Sequence, residues 1–192
     1  MISKRKLWLG IGAFTLVGVG APAPDRVARA AQPAKAEGGE GGEGGEGGEQ
    51  GIDPKRAAKD PVAFLSALDV IAAHYLAGRD AYAAGETQAA AEMFAHPIAE
   101  VYVDLEPVFK RRGVAPFQAR MQRASELALA KAPPAEVNQA VDAVMAALKA
   151  AAGKAPRDKR PRAAVEAQVI AAMVDRASLQ YGTAAKEPAL EP

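Results

Sequence analysis

The run Asp60-Pro61-Val-Ala-Phe64-Leu-Ser-Ala-Leu68-Asp-Val-Ile71-Ala-Ala-His74-Tyr75-Leu-Ala-Gly78-Arg-Asp-Ala-Tyr82-Ala-Ala-Gly85 decides the fold class. Asp60 followed by Pro61 is an N-cap followed by a proline at the first helical position, where the missing N–H costs nothing. Phe64, Leu68, Ile71, Tyr75, Gly78 and Tyr82 then recur at alternating steps of four and three. That spacing draws one apolar seam along a helix made to pack on other helices. Gly85 ends the segment, because glycine readily adopts the left-handed conformation that stops a helix.

The same signals recur downstream. Glu86-Thr87 opens a second helix running to about Ala95, and His96-Pro97 interrupts it, since a residue before proline is pushed away from helical geometry. The helix either kinks there or a new one starts. From Ile98 the positions Val101, Tyr102, Leu105, Val108 and Phe109 continue the stripe. Lys110, Arg111 and Arg112 before Gly113 read as a C-terminus complementing its dipole. Three further helices are predicted over 116–131, 134–152 and 161–181. Prolines mark their starts, and Gly153 and Gly182 close the last two. Val137, Val141, Val144, Leu148 and Ala151 form a second seam. Val169, Ile170, Met173, Val174 and Tyr181 supply the apolar face of the last helix. Lys154 to Arg160 reads as a basic, solvated connection.

No run alternates with period two, and aromatic residues are only 5% of the 192 positions, so strands are not expected. The expectation is an all-α domain, a compact antiparallel bundle of about five helices over residues 58–182. Much of the 49% hydrophobic content is alanine, which favours helix but buries little area.

The flanks read differently. Met1 to Lys6 is a short basic region and Leu7 to Val19 an apolar run too short to span a bilayer as a helix, the pattern of a secretory signal peptide over residues 1–30. The small-x-small triplet Ala28-Arg29-Ala30 places cleavage before Ala31; an uncleaved N-terminal anchor is the alternative. Residues 31–57 read as a disordered linker, with glutamates at 37, 40, 43, 46 and 49 spaced by glycine pairs that leave the backbone free. Residues 183–192 read as a disordered tail. The first thirty residues carry Lys4, Arg5, Lys6, Arg26 and Arg29 against Asp25, a net of +4. The whole chain is +1, so the body is about −3 and has no basic excess for nucleic acid. With no cysteine, disulfides, thiolate nucleophiles and cysteine zinc sites are excluded.

Chemistry concentrates around Gly85. The chain has two histidines, His74 eleven residues before that glycine and His96 eleven after it. If both arms are helical and the chain turns back there, the imidazoles stand level, roughly 16 Å from the turn. Glu92 and Glu100 lie four residues to either side of His96 and could share its face. Two neutral imidazoles with one or two carboxylates suit a transition metal ion, iron, copper or zinc. On that reading His74, His96 and Glu100 are ligands and Glu92 a fourth. Asp80 or Asp104 could orient a ring, and Met93 could serve only a soft copper site. On the metal-free reading His74 is a boundary residue and His96 caps the segment beginning at Pro97. The four serines stand in no nucleophile-elbow context and no glycine loop cradles phosphate, so no enzyme is expected.

The segments His74-Tyr-Leu-Ala-Gly-Arg-Asp80, Ala91-Glu-Met-Phe-Ala-His96-Pro-Ile-Ala-Glu100-Val-Tyr102 and Asp104-Leu-Glu-Pro107 resemble exported helical bacterial proteins associated with ferric-iron-permease and imelysin-type uptake systems. The Gly-x-His-x-x-Glu run typical of imelysins is absent. The resemblance implies a periplasmic accessory protein in metal handling, working beside an inner-membrane metal permease or another envelope protein, with His74, His96 and Glu100 carrying ligation. A metal-free helical interaction or scaffold protein of the cell envelope is the competing class.

Overall fold

Asp60 caps the central helix as its sequence requires: its carboxylate accepts the Val62 N–H at 3.0 Å, with Pro61 in the first turn. The structure, a computed structural model, describes residues 52–184. These comprise α1 (Pro54–Ala57), α2 (Pro61–Ala83), α3 (Thr87–Pro97), a π-helical turn (Ile98–Tyr102), α4 (Val103–Arg112), α5 (Gln118–Leu129), α6 (Pro134–Ala152) and α7 (Arg162–Ala184). The chain is all-α, with no strand among the described residues. The expected signal peptide, most of the expected linker and the end of the expected tail lie outside them.

Helix α2 is the hub, touching α3, α6 and α7. Its whole predicted seam is buried, from Phe64 to Tyr82, as are Val137, Val141, Val144, Leu148 and Ala151 of α6. Beside α2, Phe64, Tyr102, Phe109 and Phe117 form an aromatic cluster, Tyr102 lying edge-on to Phe117 with centroids 4.8 Å apart. The Phe117 N–H donates to the Tyr102 hydroxyl at 3.2 Å, and α5 begins only at Gln118, two residues past the expected proline start.

Several expectations are corrected. Order begins before residue 58: Asp53 caps α1 through the Lys55 N–H at 2.8 Å, and Ala57 is buried, so the linker cannot extend through residue 57. At Pro97, where the sequence leaves a kink and a new start both open, the helix passes into an irregular turn. Having no N–H, the proline cannot continue the regular ladder, and the next turn underwinds so that the Val103 N–H reaches the Ile98 carbonyl five residues back. Pro107 lies inside α4 without ending it. The last helix runs through Gly182 to Ala184.

The apolar face assigned to α7 is in fact two faces. Val165 and Val169 are buried with Val62, whereas Ile170, Val174 and Tyr181 are 64%, 57% and 58% exposed. At about 100° per residue, Ile170 points well away from Val169, and one neighbouring helix cannot cover both stripes.

Two arginines hold elements together, one expected only to complement a helix dipole and one to lie in a solvated connection. Arg112 donates to the Ala58 carbonyl at 2.7 Å, tying α4 to the end of α1. Arg160 pairs with Asp158, Gln168 and, at 3.3 Å, Asp60, so the connection before α7 is fastened to the cap of α2. The Asp158 carboxyl is held down to about 2, chiefly by its hydrogen bonds from Arg160.

Candidate metal centre

Two contacts set the level at which α3 meets α2. A Cβ built on Gly78 would lie 2.5 Å from the Phe94 ring, so only a glycine there admits the phenyl group. One turn earlier, the Tyr75 hydroxyl donates to the Phe94 carbonyl at 2.9 Å. The Ile98 N–H, which a regular helix would aim at Phe94, donates to Ala95 instead. Tyr75 therefore satisfies a carbonyl that the Pro97 irregularity leaves exposed inside the protein. Burial pushes the Tyr75 phenol far above its ordinary range, keeping it the proton donor this contact needs.

With those helices in register, His74 of α2 and His96 of α3 meet. Their ring centroids are 5.4 Å apart and their planes differ by 21°. His74 is buried, 8% exposed, and the His96 side chain is 16% exposed. The Glu100 carboxylate, carried by the π-helical turn, lies 3.0 Å from Nε2 of His96. The equal arms about Gly85, whose φ of +85° makes the turn, thus bring both histidines to one place and Glu100 with them.

Hydrogen-bond chemistry fixes the tautomers. A carbonyl can only accept, so Nδ1 of His74, 2.8 Å from the Val70 oxygen, carries a proton. In the neutral ring the lone pair is then on Nε2. A carboxylate likewise only accepts, so Nε2 of His96 is protonated toward Glu100 and the lone pair of the neutral ring is on Nδ1. Metal-binding histidines commonly donate their other N–H to a carbonyl or carboxylate, which orients the ring and raises its basicity. Val70 and Glu100 stand where those partners would. The Glu100 oxygen, expected as a direct donor to an ion, lies against the His96 ring.

The ring separation suits a shared ion. Nitrogen–metal bonds of about 2.0 Å put each centroid about 3.2 Å from the ion, and a 5.4 Å separation then corresponds to a bent arrangement of roughly 115°. The orientation is less complete. Lone pairs lie in the ring planes, and near-parallel planes do not bring them to one point, so one ring must turn for both to bind.

Glu92 is exposed and accepts from the Gln88 amide at 2.9 Å. Asp80 and Asp104 are exposed, and Met93 is buried. Among the described residues, no three histidine, aspartate or glutamate side chains form a ready metal-holding group. Sequence reasoning missed the Val70 carbonyl and a cleft of about 120 Å³ beside His74, lined also by Val70, Ala73, Met173, Arg176, Ala177 and Gln180. The apolar periodicity of α7 marked Met173, but no signal in the chain joined it to His74. Comparison with family models, with curated proteins and with solved structures finds no match.

Proposed function

We propose that this chain is an exported, periplasmic metal-binding accessory protein in the uptake or handling of iron or another transition metal. A compact antiparallel bundle holds the ion between His74 and His96, with Glu100 beside them. The observation that carries this reading is the pairing itself: the two histidines of the sequence, 22 positions apart on different helices, lie with rings 5.4 Å apart. Each imidazole donates one N–H to a fixed acceptor, the arrangement that presets its other nitrogen for a metal. The protein carries its ion and catalyses no reaction. After signal cleavage the glycine-glutamate tether holds the domain near its partner, an inner-membrane metal permease or another envelope protein.

Elemental analysis of untagged protein from the periplasm, with zinc, copper and ferric titrations, tests the proposal. Replacing either histidine by alanine should weaken binding ~10-fold or more, since even the loss of orienting partners commonly costs 10–100-fold. Weak binding that is identical in wild type and both variants would overturn it.

The outer face of α7 favours a second reading. Ile170, Val174 and Tyr181 are exposed at steps of four and seven, with Ala163 and Ala167 continuing the stripe. This is a surface for another helix. A metal-free interaction protein would keep its partner when both histidines are replaced and lose it when Ile170 and Val174 become glutamate.

A further inference from the structure

We propose that the glutamates of residues 37–49 dock on a basic pole of the domain, beside the point where their own segment joins it. This stands whether or not an ion binds the histidine pair. The negative charge of the body is unevenly spread. Residues 31–51 carry Lys35 against five glutamates, and residues 185–192 carry Lys186 against Glu187 and Glu191, which leaves the described domain at +2.

Packing gathers positive charge at one end of that domain. Arg112 donates to the Ala58 carbonyl at 2.7 Å, and two residues on Asp60 accepts from Arg56 and Arg160, each at 3.3 Å. The last turn of α4, all of α1 and the connection before α7 therefore meet around residues 58–60. These three elements carry Lys55, Lys59, Lys110, Arg111, Arg157 and Lys159, all exposed. Their carboxylates are already committed: Asp53 caps α1, Asp60 takes Arg56 and Arg160, and Asp158 takes Arg160. The opposite end, where the Tyr82 hydroxyl reaches the Ala132 carbonyl, exposes Asp80, Glu86 and Glu136 against Lys131.

The occupant follows from where the chain enters. Residue 52 leads straight into α1, so Glu49 is four residues from Asp53 and Glu37 is sixteen. A glycine-rich chain of sixteen residues spans ~20–24 Å on average, which keeps all five carboxylates near the pole. Covalent attachment over that distance gives an effective concentration of order ~1 mM. Each exposed ion pair is weak alone, and it is the attachment of five together that favours them over an outside anion such as lipid phosphate.

Because the chain has no cysteine, a nitroxide attached through Gly44→Cys is the single label. In untagged, isotope-labelled protein from the periplasm it should broaden the amides of Lys110, Arg111 and Lys159 and spare those of Gly85 and Glu86. That broadening should be lost at ~1 M salt, where the Debye length is ~3 Å. It should be lost equally when Glu37, Glu40, Glu43, Glu46 and Glu49 all become glutamine, and this variant, its pole uncovered, should bind phosphatidylglycerol vesicles more tightly than wild type. Broadening that is identical with glutamate and with glutamine reflects attachment alone and overturns the proposal. Equal vesicle binding by the two proteins overturns it as well, for the pole would then be open to lipid throughout.

Discussion

Replacing Gly78 by alanine tests the approach of α2 to α3 on which the histidine pair depends. In an ordinary helix interior the change stabilises by ~0.5–1 kcal/mol, because glycine loses more backbone entropy on folding. Here the new methyl would sit 2.5, 2.8 and 3.0 Å from three ring atoms of Phe94, where carbon contacts prefer ~3.5–4.0 Å. The ring is fully buried, and Tyr75 lies against it with centroids 5.2 Å apart, so it cannot swing aside. Overpacking of this kind costs about 1–3 kcal/mol, and the severity of the contact places it in the upper half of that range. Subtracting the propensity gain leaves a net loss of about 1–2.5 kcal/mol, or roughly 4–10 °C in Tm for a domain of this size. Gly182→Ala is the control, for a Cβ there meets open space and should be neutral or slightly stabilising. Thermal and urea unfolding of both variants would read the contrast. In a Phe94→Leu background the Gly78→Ala penalty should shrink by more than half. A Gly78→Ala protein as stable as wild type, or more so, would refute the close approach and with it the argument for why His96 reaches His74.

Three other measurements follow from the structure. Tyr75→Phe leaves the Phe94 carbonyl without its hydroxyl donor; urea unfolding should show a loss of about 1–3 kcal/mol, the cost of an unmet buried acceptor. Lys131 takes the left-handed conformation, φ 52°, at the end of α5, so Lys131→Gly should raise stability by ~0.5–1 kcal/mol in the same assay. The folded Asp158 carboxyl lies below its ordinary 3.8, at about 2. Its pairing with Arg160 therefore stabilises above pH ~4, and that contribution is lost as pH falls toward 2. Carboxyl-carbon NMR should find the low midpoint, and Arg160→Ala should return it toward 3.8.

Local chemistry made much of this molecule legible. Asp60-Pro61 fixed where α2 starts because cap and proline act on the first turn alone. The seams of α2 and α6 were readable because a fully covered face must repeat with the helical period. The histidine pair was legible for the same reason: its two arms are regular, so counting residues from Gly85 measures distance. Pro97 showed where regularity must fail, but not that the next turn would underwind or that Tyr75 would donate to the Phe94 carbonyl beside it.

The sequence by itself therefore determined the helices, their seams and the level at which His74 and His96 stand. Tertiary structure alone decided that Arg160 fastens a loop to Asp60, that α7 turns Val169 inward and Ile170 out, and that Met173 and Arg176 border His74. The division has one physical cause. Caps, turns and periodicity act within a few residues of chain, whereas which side of a helix meets which neighbour is set by the joint packing of segments far apart in sequence, here about a hundred positions from His74 to Met173.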